Sequence, residues 1–205
     1  MIPVIKQNEP ANFDKDVRQP GNRFLANHPN PRSGEFKTLW TQVSGELYRL
    51  YNGICAYTGE WFSTTQTAVS VDHFIPKSFA PHLAYEWDNY RLTIQKINNY
   101  KADKTGLIDP FEVQIGWFVL DVPSCIIKPN TSLSNSEHAK VQYTIEVLKL
   151  NDDDAFVQRR CDIIMDYVRK EITFSFMQRK YPYIACELQR QNLIDTVGQY
   201  FKGFF

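Results

Sequence analysis

The chain has 205 residues, of which 43% are hydrophobic and 14% aromatic, so it carries more apolar surface than a disordered protein. Its 23 Lys and Arg residues balance its 23 Asp and Glu residues, which excludes a strong overall attraction to polyanions. Nucleic-acid binding would therefore need a local basic patch, or a partner that supplies positive charge.

Four cysteines are scattered along the chain, at Cys55, Cys125, Cys161 and Cys186. They are too sparse for a secreted disulfide scaffold, so the sequence predicts a reducing, cytoplasmic environment. Cys161 and Cys186 fall on apolar helix faces and are predicted to be buried thiols. No signal-peptide pattern or membrane-length apolar run is present, which predicts no contact with a membrane.

Three regions are predicted from composition and periodicity. Residues 1–32 hold five of the eleven prolines and are expected to form an extended N-terminal arm. Residues 33–110 are expected to form the central domain, which begins with an amphipathic helix whose apolar positions run from Phe36 to Tyr51 and which stops at Asn52-Gly53. Residues 111–205 are expected to form a strand and helical region that packs on this domain.

Within the central domain, alternating β-branched residues predict strands at 67–72 and 90–94, followed by a short helix at 97–104. Further along, strand-like segments are predicted at 117–120, 126–127 and 142–148. A long helix is predicted after Asn151, and Pro182 opens a final helix. The fold class is therefore α+β.

A possible catalytic set lies on the two strands and the short helix. His73 directly follows the first predicted strand, and a histidine with an ordinary pKa near 6.5 is mostly neutral at cytoplasmic pH and can act as a general base. Asp72 and Asn98 offer a carboxylate and an amide oxygen, the hard donors that Mg²⁺ prefers. On the helix, Asn98 shares a face with Lys101, which is three residues further on.

This segment, from about Cys55 to Lys104, resembles the HNH nucleases, also called ββα-metal or His-Me finger enzymes. The resemblance implies that His73 activates water and that Asp72 and Asn98 hold Mg²⁺ or Mn²⁺. It also implies that Asn89 braces the loop and orients the histidine, and that Lys101 contacts phosphate. The expected fold is a ββα-metal unit embedded in a mostly helical domain, and the expected activity is metal-dependent endonuclease cleavage of DNA.

One feature departs from the family pattern. Many HNH enzymes carry two Cys-x-x-Cys pairs that bind a structural zinc. Here the first pair survives only in part, as the segment from Cys55 to Thr58, and Ile94 and Ile97 stand at the second pair. The sequence therefore predicts no structural zinc, while the catalytic positions are unaffected.

Further basic residues flank this set and are candidates for contact with DNA: Lys77, Arg91, Lys96 and Lys104. A solvated surface is the alternative interpretation of each. Trp40 is expected to belong to the core, and His28 and His82 are expected to be loop residues rather than ligands.

Outside the motif, the opening Met1-Ile2-Pro3-Val4 and the segment Leu148-Lys149-Leu150-Asn151 resemble HNH subunits of Septu-type bacterial anti-phage systems. Such subunits work beside an ATPase of the SMC or ABC class, so the resemblance implies an ATPase partner. Two alternatives stay open: an RNA substrate such as tRNA, and a non-catalytic scaffold that uses the same fold to bind nucleic acid.

Overall fold

The computed structural model describes residues 1–204, with side chains described through Phe201. The chain forms two compact units. The first unit comprises Ile5–Cys55 and Phe62–Thr105, and the second comprises Met1–Val4, Ala56–Trp61 and the chain from Gly106 onward. Helices and two antiparallel two-stranded sheets occur together, which confirms the predicted α+β class.

The N-terminal part of the first unit contains helix where the proline content predicts an extended arm. A π-helical turn at Asp14–Arg18 leads into helix α1 at Gln19–Asn27. Pro20 is the second residue of α1 and follows the π-helical turn directly, so the N–H that it lacks falls at the junction of the two helical segments. Because Phe13 and Phe24 are buried, this helical segment is fixed by core packing.

The predicted leading helix is shorter than expected. A 3₁₀-helix at Leu39–Val43 precedes helix α2 at Ser44–Leu50. Asn52 and Gly53 follow with φ angles of 53° and 66°, the left-handed stop that the sequence predicts.

The core of the first unit is a hairpin followed by a helix, as predicted. Strand β1, Val69–His73, pairs antiparallel with strand β2, Tyr90–Ile94, and helix α3 follows at once at Gln95–Lys101. The loop between the strands contains 3₁₀ turns at Pro81–Leu83 and Trp87–Asn89. Helix α3 packs against both strands, so residues of β1 and α3 are brought together.

The second unit begins with a separate hairpin, strand β3 at Phe118–Asp121 and strand β4 at Ile126–Pro129. The α-helices of this unit are α4 at Asn135–Val147, α5 at Asp154–Val168, α6 at Phe174–Lys180 and α7 at Pro182–Arg190. A 3₁₀-helix occupies Val197–Phe204. Across residues 1–204, no helix combines the length and the hydropathy needed to cross a lipid bilayer.

The strand predicted at 142–148 is wrong, because this segment belongs to α4. The helix begins with a capping box in which Ser134 and Glu137 satisfy each other's backbone N–H groups. Its buried residues Val141 and Ile145 and the buried C-cap residue Leu148 have helical spacing. The β-branched composition of the segment favoured a strand, and the cap together with this buried stripe overrides that local preference.

The expectation of a buried thiol at Cys161 is corrected by the structure. Cys161 forms a disulfide with Cys125, with a Cα–Cα distance of 5.7 Å, which joins the β3–β4 turn to helix α5. The pairing was hidden from the sequence because the two residues are 36 positions apart. Cys55 is a buried free cysteine and Cys186 is a half-buried one.

Candidate active site

The β1–β2 register sets the geometry of the candidate site. Asp72 lies opposite Arg91, and His73, the last residue of β1, lies opposite Tyr90. The loop that follows β1 returns past His73 before β2 begins, which brings the Ala84 carbonyl within hydrogen-bonding distance of the imidazole.

The imidazole of His73 is held by a main-chain acceptor. Its Nε2 lies 2.9 Å from the carbonyl oxygen of Ala84, which also accepts a hydrogen bond from the Tyr90 hydroxyl at 2.9 Å. A carbonyl oxygen can only accept, so Nε2 carries the proton and Nδ1 keeps its lone pair. The rings of Trp40 and Tyr90 stand edge-on to the imidazole, with centroid distances of 4.7 and 5.1 Å.

Burial sets the protonation state of this histidine. Desolvation lowers the pKa of His73 to about 4, assisted by the positive charges of Lys77 and Lys101 and opposed by the hydrogen bond to Ala84. The imidazole is therefore neutral at neutral pH. A neutral histidine with a lone pair at Nδ1 has the form that a general base requires.

Asn89 joins the two ends of the loop. Its Oδ1 accepts the backbone N–H of Ile75 at 2.8 Å, and its Nδ2 donates to the carbonyls of Ile75 and Leu83 at 2.9 and 3.1 Å. Leu83 directly precedes Ala84. The amide of Asn89 thus connects the chain just after His73 to the chain that supplies the acceptor of His73.

Asp72 is paired with a lysine from inside the protein. Lys101 Nζ donates to Asp72 Oδ1 and to the carbonyl oxygen of His73, both at 2.9 Å. The side chains of Lys101 and Asp72 are 0% and 2% exposed. The family resemblance implies a phosphate contact for Lys101, but the structure buries its ammonium beneath the end of β1, where it fixes the aspartate and the strand.

Asn98 completes the candidate metal ligands. Its Nδ2 donates hydrogen bonds to Ser70 Oγ at 2.7 Å and to the Val71 carbonyl at 3.4 Å, so its amide oxygen is the atom that could bind a metal ion. Asn98, Asp72 and His73 line one cleft of about 290 Å³. A carboxylate and an amide oxygen in one cleft suit Mg²⁺ or Mn²⁺, with water and substrate phosphate filling the remaining positions.

Comparison with known proteins gives one relative of interest. The chain is 24% identical over 166 residues to Septu protein PtuB of Bacillus thuringiensis. It is similar to a Septu protein. The match covers 78% of this chain and 58% of the relative, so the chain spans less than three-fifths of that protein's length. No protein-family model matches the sequence.

The predicted basic residues occupy different environments. Lys77 lines the cleft, with Nζ 5.3 Å from the centroid of the Trp40 ring. Arg91 is 3% exposed, and its guanidinium donates to the carbonyls of Asp88 and Tyr90, so it serves the fold rather than a DNA surface. Lys96 and Lys104 are exposed on and just after α3, and neither lines the cleft.

Sequence reasoning missed several parts of the cleft. Trp40, which was assigned to the core, is only half-buried and forms a wall beside His73. Ser70 orients Asn98, and the exposed carboxylate of Asp103 also lines the cleft. The key acceptor, Ala84, is a backbone carbonyl, for which the sequence contains no signal.

Proposed function

We propose that this protein is a metal-dependent endonuclease of the HNH type that hydrolyses DNA phosphodiester bonds. The observation that carries the proposal is that one cleft combines a neutral His73, with Nδ1 as its basic nitrogen, and the oxygen donors of Asp72 and Asn98. A scaffold that only binds nucleic acid has no need of a base beside two metal donors, so this combination favours an enzyme.

In the proposed reaction, His73 Nδ1 accepts a proton from water as the water oxygen attacks phosphorus and the bond to the leaving sugar oxygen breaks. Asp72 and Asn98 would hold the divalent cation. When bound, the cation supplies charge neutralisation on the phosphate and the leaving oxygen. Lys77, which lines the cleft, would contact a substrate phosphate.

Lys101 is a positioning residue in this scheme. Its two hydrogen bonds hold the Asp72 carboxylate and the main chain of His73 at fixed positions before substrate arrives. This preorganisation matters because catalytic groups lose much of their effect when displaced by about 1 Å. Asn89 acts similarly on the loop that carries the Ala84 carbonyl.

The similarity to Septu protein PtuB supports a role in bacterial anti-phage defence, in which this chain would be the nuclease effector of a complex. An ATPase of the SMC or ABC class is the proposed partner subunit. The balanced charge of the chain agrees with this arrangement, because the partner would supply part of the positive surface needed to hold DNA.

The test is cleavage of plasmid DNA in Mg²⁺, Mn²⁺ or EDTA, with and without a co-expressed ATPase partner, comparing wild type with His73→Ala. The matched control is His82→Ala, which removes an exposed histidine from the same loop. We expect His73→Ala to lower the rate about 10²–10⁴-fold, the usual contribution of a general base. His82→Ala and wild type should cleave equally, and only with metal.

Three outcomes would contradict this function. Unchanged metal-dependent cleavage by His73→Ala would remove the proposed base. Histidine-dependent cleavage of an RNA substrate, but not of DNA, would change the substrate to RNA. No cleavage of either nucleic acid in the presence of the partner would favour the non-catalytic scaffold.

A further inference from the structure

A second groove lies in the same compact unit as the cleft. It has a volume of about 480 Å³ and is lined by Arg23, Phe24, His28, Glu35 and Lys37, among others. Glu35 is its only carboxylate and is engaged, since Oε2 accepts the backbone N–H of Arg32 at 2.7 Å. The groove is therefore lined by two permanently charged cations and a histidine, beside one carboxylate that already accepts a hydrogen bond.

A continuous row of rings connects the cleft to this second groove. Consecutive ring centroids lie 4.5–6.5 Å apart, in the order His73, Trp40, Tyr85, Phe36, Phe24 and His28. Tyr85, Phe36 and Phe24 are buried, so they form a floor beneath the surface. The row begins at the proposed general base and ends at His28, which stacks on Phe24 in the second groove.

Lysine ammonium groups lie over this aromatic floor. Lys77 Nζ is 5.3 Å from the Trp40 centroid and 5.9 Å from that of Phe36, and Lys37 Nζ is 5.8 Å from that of Phe24. The face of an aromatic ring attracts a cation, which restricts where each ammonium can lie. The Lys37 backbone is also fixed, because its carbonyl accepts the Tyr85 hydroxyl at 3.1 Å.

These cations are available to an external anion. Within residues 1–201, no carboxylate lies within ion-pair distance of Lys77, Lys37 or Arg23. Other surface cations of the unit, such as Arg18 and Arg49, are already paired with glutamates. Lys77 and Lys37 thus bring positive charge that is not ion-paired to the ring row, and Arg23 brings it to the second groove, in a chain whose net charge is zero.

We propose that the second groove binds the sugar–phosphate backbone of the DNA strand whose scissile bond lies in the cleft. This inference rests on the proposed function for the identity of the ligand. Cations spaced along a surface match a polymer with regularly spaced phosphates better than a single small anion. Because the floor rings are buried, bases have little to stack on, so binding through the groove is expected to be independent of sequence.

The test compares the affinity of the full chain for labelled oligonucleotides, in EDTA and over a range of salt concentrations. The variant is Arg23→Gln combined with Lys37→Gln. The matched control, Lys15→Gln combined with Arg49→Gln, removes the same charge from exposed positions of the same unit. We expect the Arg23→Gln, Lys37→Gln variant to bind DNA more weakly than wild type. The slope of log affinity against log salt concentration should be smaller in magnitude by about 1.4–1.8, as expected for the loss of two phosphate contacts.

The control variant should retain the wild-type salt slope. Equal slopes and affinities in the groove variant and the control would overturn the proposal, and so would a wild type that does not bind oligonucleotides. DNA and RNA of the same sequence are tested in parallel. Binding that depends on Arg23 and Lys37 for RNA alone would overturn DNA as the ligand.

A small substrate separates this inference from the proposed function. Bis(4-nitrophenyl) phosphate has one phosphodiester and is too short to occupy both the cleft and the second groove. Its hydrolysis with Mn²⁺ should be lost in His73→Ala and unchanged in the Arg23→Gln, Lys37→Gln variant. If the protein does not hydrolyse this substrate but its DNA binding still depends on Arg23 and Lys37, only the proposed nuclease activity is contradicted. If both variants lose hydrolysis equally, the second groove is not a separate site for the DNA backbone.

Discussion

Both compact units bury charged side chains, but the two networks differ in what they leave open. In the second unit, the Glu187 carboxylate accepts hydrogen bonds from the Leu120 backbone, Arg190 and Gln191. In the first unit, the pair formed by Lys101 and Asp72 lies at the wall of a cleft that also contains His73. One network connects a hairpin to a helix, and the other borders solvent-accessible space.

This difference shows which feature of a buried charge points to chemistry. Glu187 and Asp72 are 1% and 2% exposed, so burial alone does not separate a structural carboxylate from a candidate ligand. Two neighbours distinguish Asp72 from Glu187. One is His73, whose Nε2 is hydrogen-bonded to a backbone carbonyl, and the other is the amide oxygen of Asn98 in the same cleft. Mutations in the two networks should accordingly affect different properties.

The largest expected effect on stability comes from Lys101→Met. Removing the ammonium takes away one partner of the buried Lys101–Asp72 ion pair, and breaking a buried pair in this way typically costs about 3–5 kcal/mol. We expect faster hydrogen exchange at the β1 and β2 amides and little change at β3 and β4. The double variant Asp72→Asn, Lys101→Met should recover part of the loss, because the carboxylate charge is removed together with the ammonium.

Glu187→Gln is the counterpart in the second unit. It should accelerate exchange at β3 and β4 while leaving the metal-dependent activity of the first unit unchanged. If Lys101→Met left exchange in β1 at the wild-type rate, or if Glu187→Gln abolished cleavage, the contrast between the two networks would not hold.

The next effect concerns the disulfide of the second unit. Reduction of the bond between Cys125 and Cys161 removes a cross-link between distant segments. Such a cross-link typically contributes about 2–4 kcal/mol to the free energy of unfolding. We expect dithiothreitol to lower the unfolding free energy of wild type but not of Cys125→Ser, Cys161→Ser. Thiol counting on the non-reduced, denatured chain should give two free cysteines, and a count of four would contradict the pairing.

The smallest effect is a pH dependence specific to the first unit. The pKa of His73 is lowered from 6.5 to about 4 by burial, so below pH 6.5 the unfolded chain binds a proton that the folded chain does not. This stability is complete above pH 6.5 and is lost as the pH falls toward 4, by about 2 kcal/mol at pH 5. Denaturation in EDTA of wild type and His73→Gln should show the difference, with His138→Gln as an exposed control.

The sequence was most informative where the relevant contacts are local. Strands β1 and β2 and helix α3 follow one another within 33 residues, and their β-branched alternation and turn residues predict each element. The order of Asp72, His73 and Asn98 then indicates the cleft. The helix α4 was missed because its β-branched residues outweighed a capping box that was readable at Ser134 and Glu137.

Other features depend on tertiary distances that no local pattern encodes. The burial of Lys101 follows from the packing of α3 on β1, and the disulfide joins residues 36 positions apart. The second groove is likewise formed by α1, whose prolines predicted only an extended arm, and by the segment around Lys37, which was predicted to begin the leading helix. These parts of the site required the folded chain.

The acceptor that orients His73 has a consequence for genetic analysis. Because it is the carbonyl of Ala84, no side-chain replacement removes it, and a systematic alanine scan would retain the wild-type residue at that position. Impaired mutants would instead map to Asn89 and Tyr90, which act on the same loop and the same oxygen. Mutations that impair this protein would therefore be found at residues around the Ala84 carbonyl oxygen and not at Ala84 itself.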